Sequence, residues 1–355
     1  MSVIVTHGTA IMTIATHLTP QAQPVTLPTA HPSLERHPGF QRLFQPEALT
    51  IGLILPLETH AGRPAPTMRG HLEMAQRAEA LGFGALWMRD IPFYDPDYGD
   101  VAQIFEPLVY IGYLAAATRS IVLGTTGIVL PTRDPMYLAK QATSLDQLSE
   151  GRLVLGLSSG DRFSDYPMLG IDYESRGDRY RDAFSVFRTL IEQSFPRFRS
   201  ERFGGSPGSL DLVPKAPYGR VPSIAVGQAQ QSIEWLAQHL DGYLAGVQSP
   251  ERLASLGESW HATVREAENR DAFKPLGLGG YFDLSDNPDQ PFQRIQGGFR
   301  AGRNGLRIYL EQAQSAGVSH IALNPKVSRQ PYGEILDELG EYVLPHFPSH
   351  PKRTL

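Results

Sequence analysis

The chain has 355 residues, with 32 Lys and Arg against 37 Asp and Glu and a net charge of −5. That balance argues against nucleic acid or an anionic membrane as main partner, and no stretch approaches the roughly 18 apolar residues of a helical membrane span. The absence of cysteine excludes disulfides, thiolate metal sites and a cysteine nucleophile, and fits a reducing, cytoplasmic setting.

Residues 1–45 are rich in Thr, Pro, His and Ala and show no sustained periodicity. They lack the basic region and apolar core of a secretory signal and read as a flexible tail. Residues 46–350 read as one domain. Leu49–Leu55 is a buried strand, Met68–Leu81 a helix with one apolar face, and Phe83–Met88 a second strand. The loop after it carries Arg89-Asp90-Ile91-Pro92-Phe93-Tyr94-Asp95, and Pro107–Thr118 is the next helix.

Ser120–Pro131 is a β-branched apolar run broken at Gly124 and Gly127. Asp134-Pro135 then opens a helix, with Asp as N-cap and Pro in the first turn. Leu138, Ala142, Leu145 and Leu148 form its buried stripe, and Gly151 closes it. Arg152–Ser158 is the following strand. Two buried strands joined by a helix make a parallel β-α-β unit, whose ligands bind at the carboxyl ends of the strands. Thr125, Thr126, Gly127, Ser158, Ser159 and Gly160 stand at those ends.

Ser175–Glu192 reads as a long helix, followed by about thirty residues rich in Gly, Pro and Arg that read as an inserted loop. Ser223–Val226, Asp241–Gly246, Leu276–Leu284 and His320–Asn324 are strands. Ser232–Leu240, Glu251–Asn269, Gly305–Ala316 and Tyr332–Phe347 are helices. Eight strands thus alternate with helices, which suits a single-domain (β/α)8 TIM barrel with insertions. A doubly wound sheet would want a G-x-G-x-x-G turn after its first strand, and Leu55-Pro56-Leu57-Glu58 is not one.

Several constellations admit both a functional and a plain reading. Gly227-Gln228-Ala229-Gln230-Gln231-Ser232 links a strand to a helix, either as a phosphate-binding turn or as an ordinary turn capped by Ser232. Ser175-Arg176-Gly177-Asp178 resembles a capping box, which puts Arg176 where the helix dipole disfavours a cation. It meets either an external anion or a surface carboxylate, Asp178 or Asp182. Gly127 inside a strand marks a bulge or a backbone that a flat ligand approaches. Asp90, Tyr94 and Asp95 follow the second strand as acid–base candidates or as a solvated loop. The histidines have no metal-ligand spacing, and neither a G-x-S-x-G elbow nor a P-loop is present. No metal site is expected.

Taken together, Ile121–Pro131, Asp134-Pro135, Leu145-Asp-Gln-Leu-Ser149, Gly151-Arg-Leu153, Gly156-Leu-Ser-Ser-Gly160, Leu169–Asp172, Ser175-Arg176 and Ile233-Glu-Trp-Leu-Ala237 resemble the bacterial-luciferase-like superfamily of flavin-dependent monooxygenases. Arg89–Asp95 and Gly302-Arg-Asn304 resemble a branch known only as luciferase-type oxidoreductases. The resemblance implies a barrel binding FMN or FMNH2 at the carboxyl ends of its strands, with a deazaflavin as the alternative. It also implies O2 and a small organic substrate as reactants, a separate flavin reductase, and a homodimer. By position, Arg176 and Ser232 match residues that hold the flavin phosphate, and Gly227 to Gln231 match the loop around it. Thr126 and Gly127 match a non-proline cis peptide beneath the flavin ring. Ser158 matches a reactive cysteine beside the flavin and Ser159 a phosphate-binding arginine, with Gly160 next in the chain. Asp90 matches a catalytic-site acid, while Ile91 stands where luciferase has its essential histidine. That departure argues against light emission, and it leaves a non-catalytic flavin-binding subunit as a second reading. A phosphate-binding isomerase or aldolase would instead rely on Lys326.

Overall fold

A computed structural model describes residues 32–267 and 273–349. Helix α1 (Pro38–Leu43) precedes strand β1 (Thr50–Ile54), and α2 (His71–Leu81) leads into β2 (Ala85–Met88). Then come α3 (Pro107–Ala117), β3 (Val122–Thr125), β4 (Ile128–Val129), α4 (Pro135–Leu148) and β5 (Leu153–Ser158). A short α5 (Asp165–Met168) and the long α6 (Arg176–Glu192) follow. The segment expected to be a loop after Glu192 contains a separate hairpin, β6 (Arg197–Ser200) and β7 (Gly204–Pro207).

The chain returns with β8 (Ser223–Val226), α7 (Ile233–His239), β9 (Tyr243–Gly246), α8 (Pro250–Glu266) and β10 (Leu276–Leu284). A hairpin the sequence pattern did not announce, β11 (Gln293–Ile295) and β12 (Gly298–Ala301), extends from β10. It is followed by α9 (Arg303–Ser315), β13 (Val318–Asn324) and α10 (Tyr332–Tyr342). β1, β2, β3, β5, β8, β9, β10 and β13 pair in parallel in that order, and β13 pairs with β1. This closes an eight-strand (β/α)8 barrel, a single domain.

Strand side chains alternate between two cores, as the period of two requires. Leu53, Leu86, Leu123 and Leu155 point outward and pack under the helices, whereas Ile54, Trp87, Val122, Val154, Ile224 and Ala322 fill the barrel axis. Trp87 fits there because two neighbours lack side chains. A Cβ on Gly124 would lie 2.3 Å from its ring, and one on Gly52 would lie 2.8 Å from its Nε1.

The axis also holds a polar relay. Thr50 Oγ1 donates to the Leu43 carbonyl at 2.8 Å, which leaves its lone pairs to accept from His320 Nδ1 at 2.8 Å. Trp87 Nε1 donates to His320 Nε2 at 2.9 Å. This network assigns the proton of a neutral imidazole to Nδ1. Burial pushes the His320 pKa down to about 3, because a charged ring there would lose its hydration.

The relay ends on α1, inside the segment expected to be a tail. Residues 1–31 lie outside the described residues, but Phe40, Leu43 and Phe44 are buried in the same cluster as Trp87 and Val154. His37 Nδ1 accepts from Phe40 N at 3.2 Å, its Nε2 meets buried Asp146 at 3.0 Å, and Gly39 N donates to the Gly151 carbonyl at 2.8 Å. Residues 37–44 are thus the plug of the barrel floor, a correction to the 1–45 tail. A lone six-residue helix would not hold, so tertiary burial makes it.

Candidate functional site at the barrel mouth

The carboxyl ends of the strands open on two adjoining cavities of about 620 and 280 Å³. They share Arg89, Thr126, Val226 and Gly227. The sizes lie near the usual range for small-molecule and cofactor sites.

The larger cavity gathers residues from distant parts of the chain. Asp90, Thr126, Gly127, Ser158, Ser159, Gly160 and the whole run Gly227, Gln228, Ala229, Gln230 and Gln231 line it. β3 stops at Thr125 and resumes as β4 at Ile128, and the intervening Thr126–Gly127 peptide is cis. Thr125 stitches the break to β5, donating through Oγ1 to the Gly156 carbonyl at 2.7 Å and accepting from Gly156 N at 2.9 Å. Ser158 Oγ reaches only long contacts, 3.3 Å to Gly127 O and 3.4 Å to Ile128 O. The Ser159 carbonyl accepts from Tyr166 Oη.

The turn after β8 has three positive φ angles, at Gly227 (61°), Ala229 (49°) and Gln230 (60°). Two of them fall on residues with a Cβ, an arrangement costing about 1 kcal/mol each. Side-chain bonds hold the turn in place. Gln231 Nε2 donates to Gly177 O at 2.9 Å and to Ala229 O at 3.0 Å, and its Oε1 accepts from Arg181 Nε.

Asp90 sits on this cavity but is already engaged. Its carboxylate accepts from Val129 N at 2.9 Å and from Arg133 Nε and Nη2 at 2.9 and 2.6 Å. Such a bidentate pair fixes β4 against the loop after β2. Asp90 therefore positions the cavity wall more readily than it exchanges a proton.

Thr125, Tyr94 and Asp95 stand outside the two cavity linings, and so do the two residues expected at the phosphate. Ser232 caps α7, accepting from Trp235 N at 3.2 Å. Arg176 lies 3.7 Å over the Tyr173 ring and donates through Nη1 to Tyr173 O at 2.9 Å. The capping box at Ser175 does not form. Ser175 Oγ donates instead to Asp172 O at 2.7 Å, and a 3-10 turn over Tyr173–Ser175 precedes α6. Arg176 meets Glu174 at 3.8 Å, not Asp178 or Asp182.

The sequence reading missed other groups. Arg162, Asp165 and Tyr166 come from the segment between β5 and α6 and line the larger cavity. Arg89 lines both cavities. Gln103 clasps its backbone, accepting from Arg89 N at 3.1 Å and donating to Arg89 O at 2.7 Å. The Arg89 guanidinium pairs through Nη1 with Asp100. Asp100 also binds Lys326 Nζ at 2.7 Å and accepts from Tyr281 Oη at 2.9 Å. Burial alone would raise the Asp100 carboxyl, but Arg89 and Lys326 outweigh it and hold it well below the usual range. Arg89 could have been found from its place at a strand's carboxyl end, the criterion that singled out Asp90.

The family of luciferase-like monooxygenases matches residues 49–317. The chain belongs to that family. A 4-hydroxyprotoasukamycin monooxygenase of Streptomyces nodosus subsp. asukaensis is 29% identical over 175 residues, 49% of this chain and 46% of the relative. Among solved structures, an F420-dependent secondary alcohol dehydrogenase superposes with a TM-score of 0.66 at 18% identity, covering 83% of this chain and 98% of the other. The oxygenating constituent of 3,6-diketocamphane monooxygenase of Pseudomonas putida, in complex with FMN, gives 0.65 at 14% identity, with 84% and 98% covered. At those identities the structural likeness is one of fold. The chain is an enzyme of the luciferase-like family, whose members use FMN or the deazaflavin F420. Among the described residues no helix is long and apolar enough to cross a membrane, and no cluster of His, Asp or Glu could hold a metal ion.

Proposed function

We propose that the barrel mouth binds FMN and that the enzyme oxidises a small organic substrate with O2, on reduced cofactor supplied by a separate reductase. The observation that carries this reading is the shape of the smaller cavity. Gly227 and Gly246 line it, and a Cβ built on either would meet nothing within 4 Å. A side chain there would take up cavity space, so the floor is kept bare, as a flat ring system requires. Thr126 continues this floor into the larger, more polar cavity, which has the length and polarity to take a phosphorylated chain.

In this reading the cofactor supplies the redox chemistry. The protein's residues bind, orient and exclude water. Ser158, Ser159 and the turn from Gly227 to Gln231 offer hydroxyls and backbone amides to the anionic tail. Arg162 and Tyr166 wall it from the side. The lack of a nicotinamide fingerprint in the chain is the reason for assigning reduction to a separate protein.

Anaerobic titration with reduced FMN, and in parallel with reduced F420, tests the assignment. FMN is expected to bind at micromolar levels and F420 more weakly. F420 binding alone would change the cofactor, and binding of neither would sink the reading. Arg176→Ala on the same assay is expected to weaken FMN binding about tenfold if the tail reaches that arginine, the range of a charge-assisted bond. An unchanged dissociation constant would leave the tail to the amides of the Gly227 turn.

A further inference from the structure

The cluster of Arg89, Asp100, Lys326 and Tyr281 sits at the barrel mouth, and two of its members, Arg89 and Tyr281, line the smaller cavity. It is assembled from three remote segments, the loop after β2, the middle of β10 and the turn after β13. Its charge does not cancel. Arg89 and Lys326 share a single carboxylate, and Asp100 is the one ion-pair partner of each among the described residues.

The nearest alternatives are already taken. Asp90 belongs to Arg133 and Asp165 to Arg162, and His60 is pushed by burial towards its neutral form. Taking two cations out of water is costly unless each is compensated. Asp100 engages Arg89 through Nη1, while the same guanidinium borders both cavities. A planar guanidinium with donors to spare, beside a cavity whose lining includes Ile54, Val226 and Leu244 as well as Thr126 and Asn324, suits a carboxylate on a largely apolar body.

We propose that Arg89 is the substrate anchor, and that the substrate is a small organic carboxylate whose anionic group it receives where the two cavities meet. Asp100 and Lys326 are positioning residues. Asp100 fixes the guanidinium through Oδ2, Tyr281 donates to that same oxygen, and Lys326 on Oδ1 keeps Asp100 from neutralising Arg89. The proposal rests on the mouth being an oxidoreductase site, and it adds the class of molecule acted on.

Calorimetric titration of the full chain with benzoate and with benzamide, each with and without FMN, tests it. Benzoate is expected to bind at least tenfold more tightly than benzamide. Arg89→Met is expected to abolish that preference, and Arg89→Lys to retain only part of it. Equal binding of the two probes by the unaltered chain would overturn the proposal whether or not a variant folds. A preference that survives in Arg89→Met would overturn it as well. Competition of benzoate with FMN, one for one, would show that the charge serves the cofactor and not a substrate. FMN binding measured on the same samples reports separately on the cofactor assignment.

Discussion

The two ends of the barrel solve the burial of polar groups in opposite ways. At the floor the buried cations Arg152, Arg188, Arg220 and Lys274 are spent on the protein. Arg152 is 5% exposed and donates to the carbonyls of Ser149, Ala115, Thr118 and Ile121 and to Thr118 Oγ1. Arg188 and Arg220 meet Glu192 and Asp241, two cations with two carboxylates. Lys274 gives its ammonium to the Ala237 carbonyl, and burial pushes its pKa down to about 8. At the mouth, two cations share one carboxylate, and one of them, Arg89, borders open space. The difference teaches where binding capacity is kept. One end stabilises the barrel, and the other leaves donors for something else, as the division of labour in this fold leads one to expect.

The comparison breaks most visibly at Arg152. Arg152→Met should cost roughly 3–5 kcal/mol, because several buried carbonyls lose their donor at once. Denaturant unfolding measures it, and a loss below about 1 kcal/mol would deny the floor its structural role.

The second effect is a pH dependence of roughly 4–5 kcal/mol from His320. Its ordinary value is 6.5 and its folded value is about 3. Between those values the unfolded chain takes up a proton that the folded chain refuses. The stability is therefore full above pH 6.5 and is lost as pH falls towards 3. His320→Gln should flatten that slope in unfolding curves taken across the range, and an unchanged slope would assign it to other groups.

Gly246→Leu sharpens the contrast from the other side. Stability should change by less than about 0.5 kcal/mol, since a Cβ there meets nothing. FMN binding should fall at least tenfold, about 1.4 kcal/mol. Loss of stability without loss of binding would reverse the roles of the two ends. The smallest effect belongs to Ser158→Ala, whose hydroxyl makes only contacts of 3.3 and 3.4 Å. Its unfolding free energy should stay within about 0.5 kcal/mol of the parent.

Much of the barrel was legible because its signals are local. Asp134 and Pro135 mark the start of α4 in sequence and do so in the structure, where Asp134 accepts from Met136 N and Tyr137 N. The apolar runs of β5 and β8 needed only their own residues to be read. The cavity residues from Thr126 to Gln231 were legible too, as groups at strand ends. What escaped was set by distance along the chain. Asp100 and Tyr281 are 181 residues apart, and no spacing rule connects them. The plug from His37 to Phe44 looked like a tail because its order comes from the barrel it enters, not from its own short helix. The local setting of Arg176, without the capping box and beside Glu174, escaped for a related reason. Its aromatic neighbour Tyr173, on a 3-10 turn, redirected a side chain that the capping pattern had aimed elsewhere.

The aromatic stopper formed by Phe40 and Phe44 has a consequence for access. With the far end closed among the described residues, an occupant of the two cavities comes and goes by the carboxyl ends of the strands.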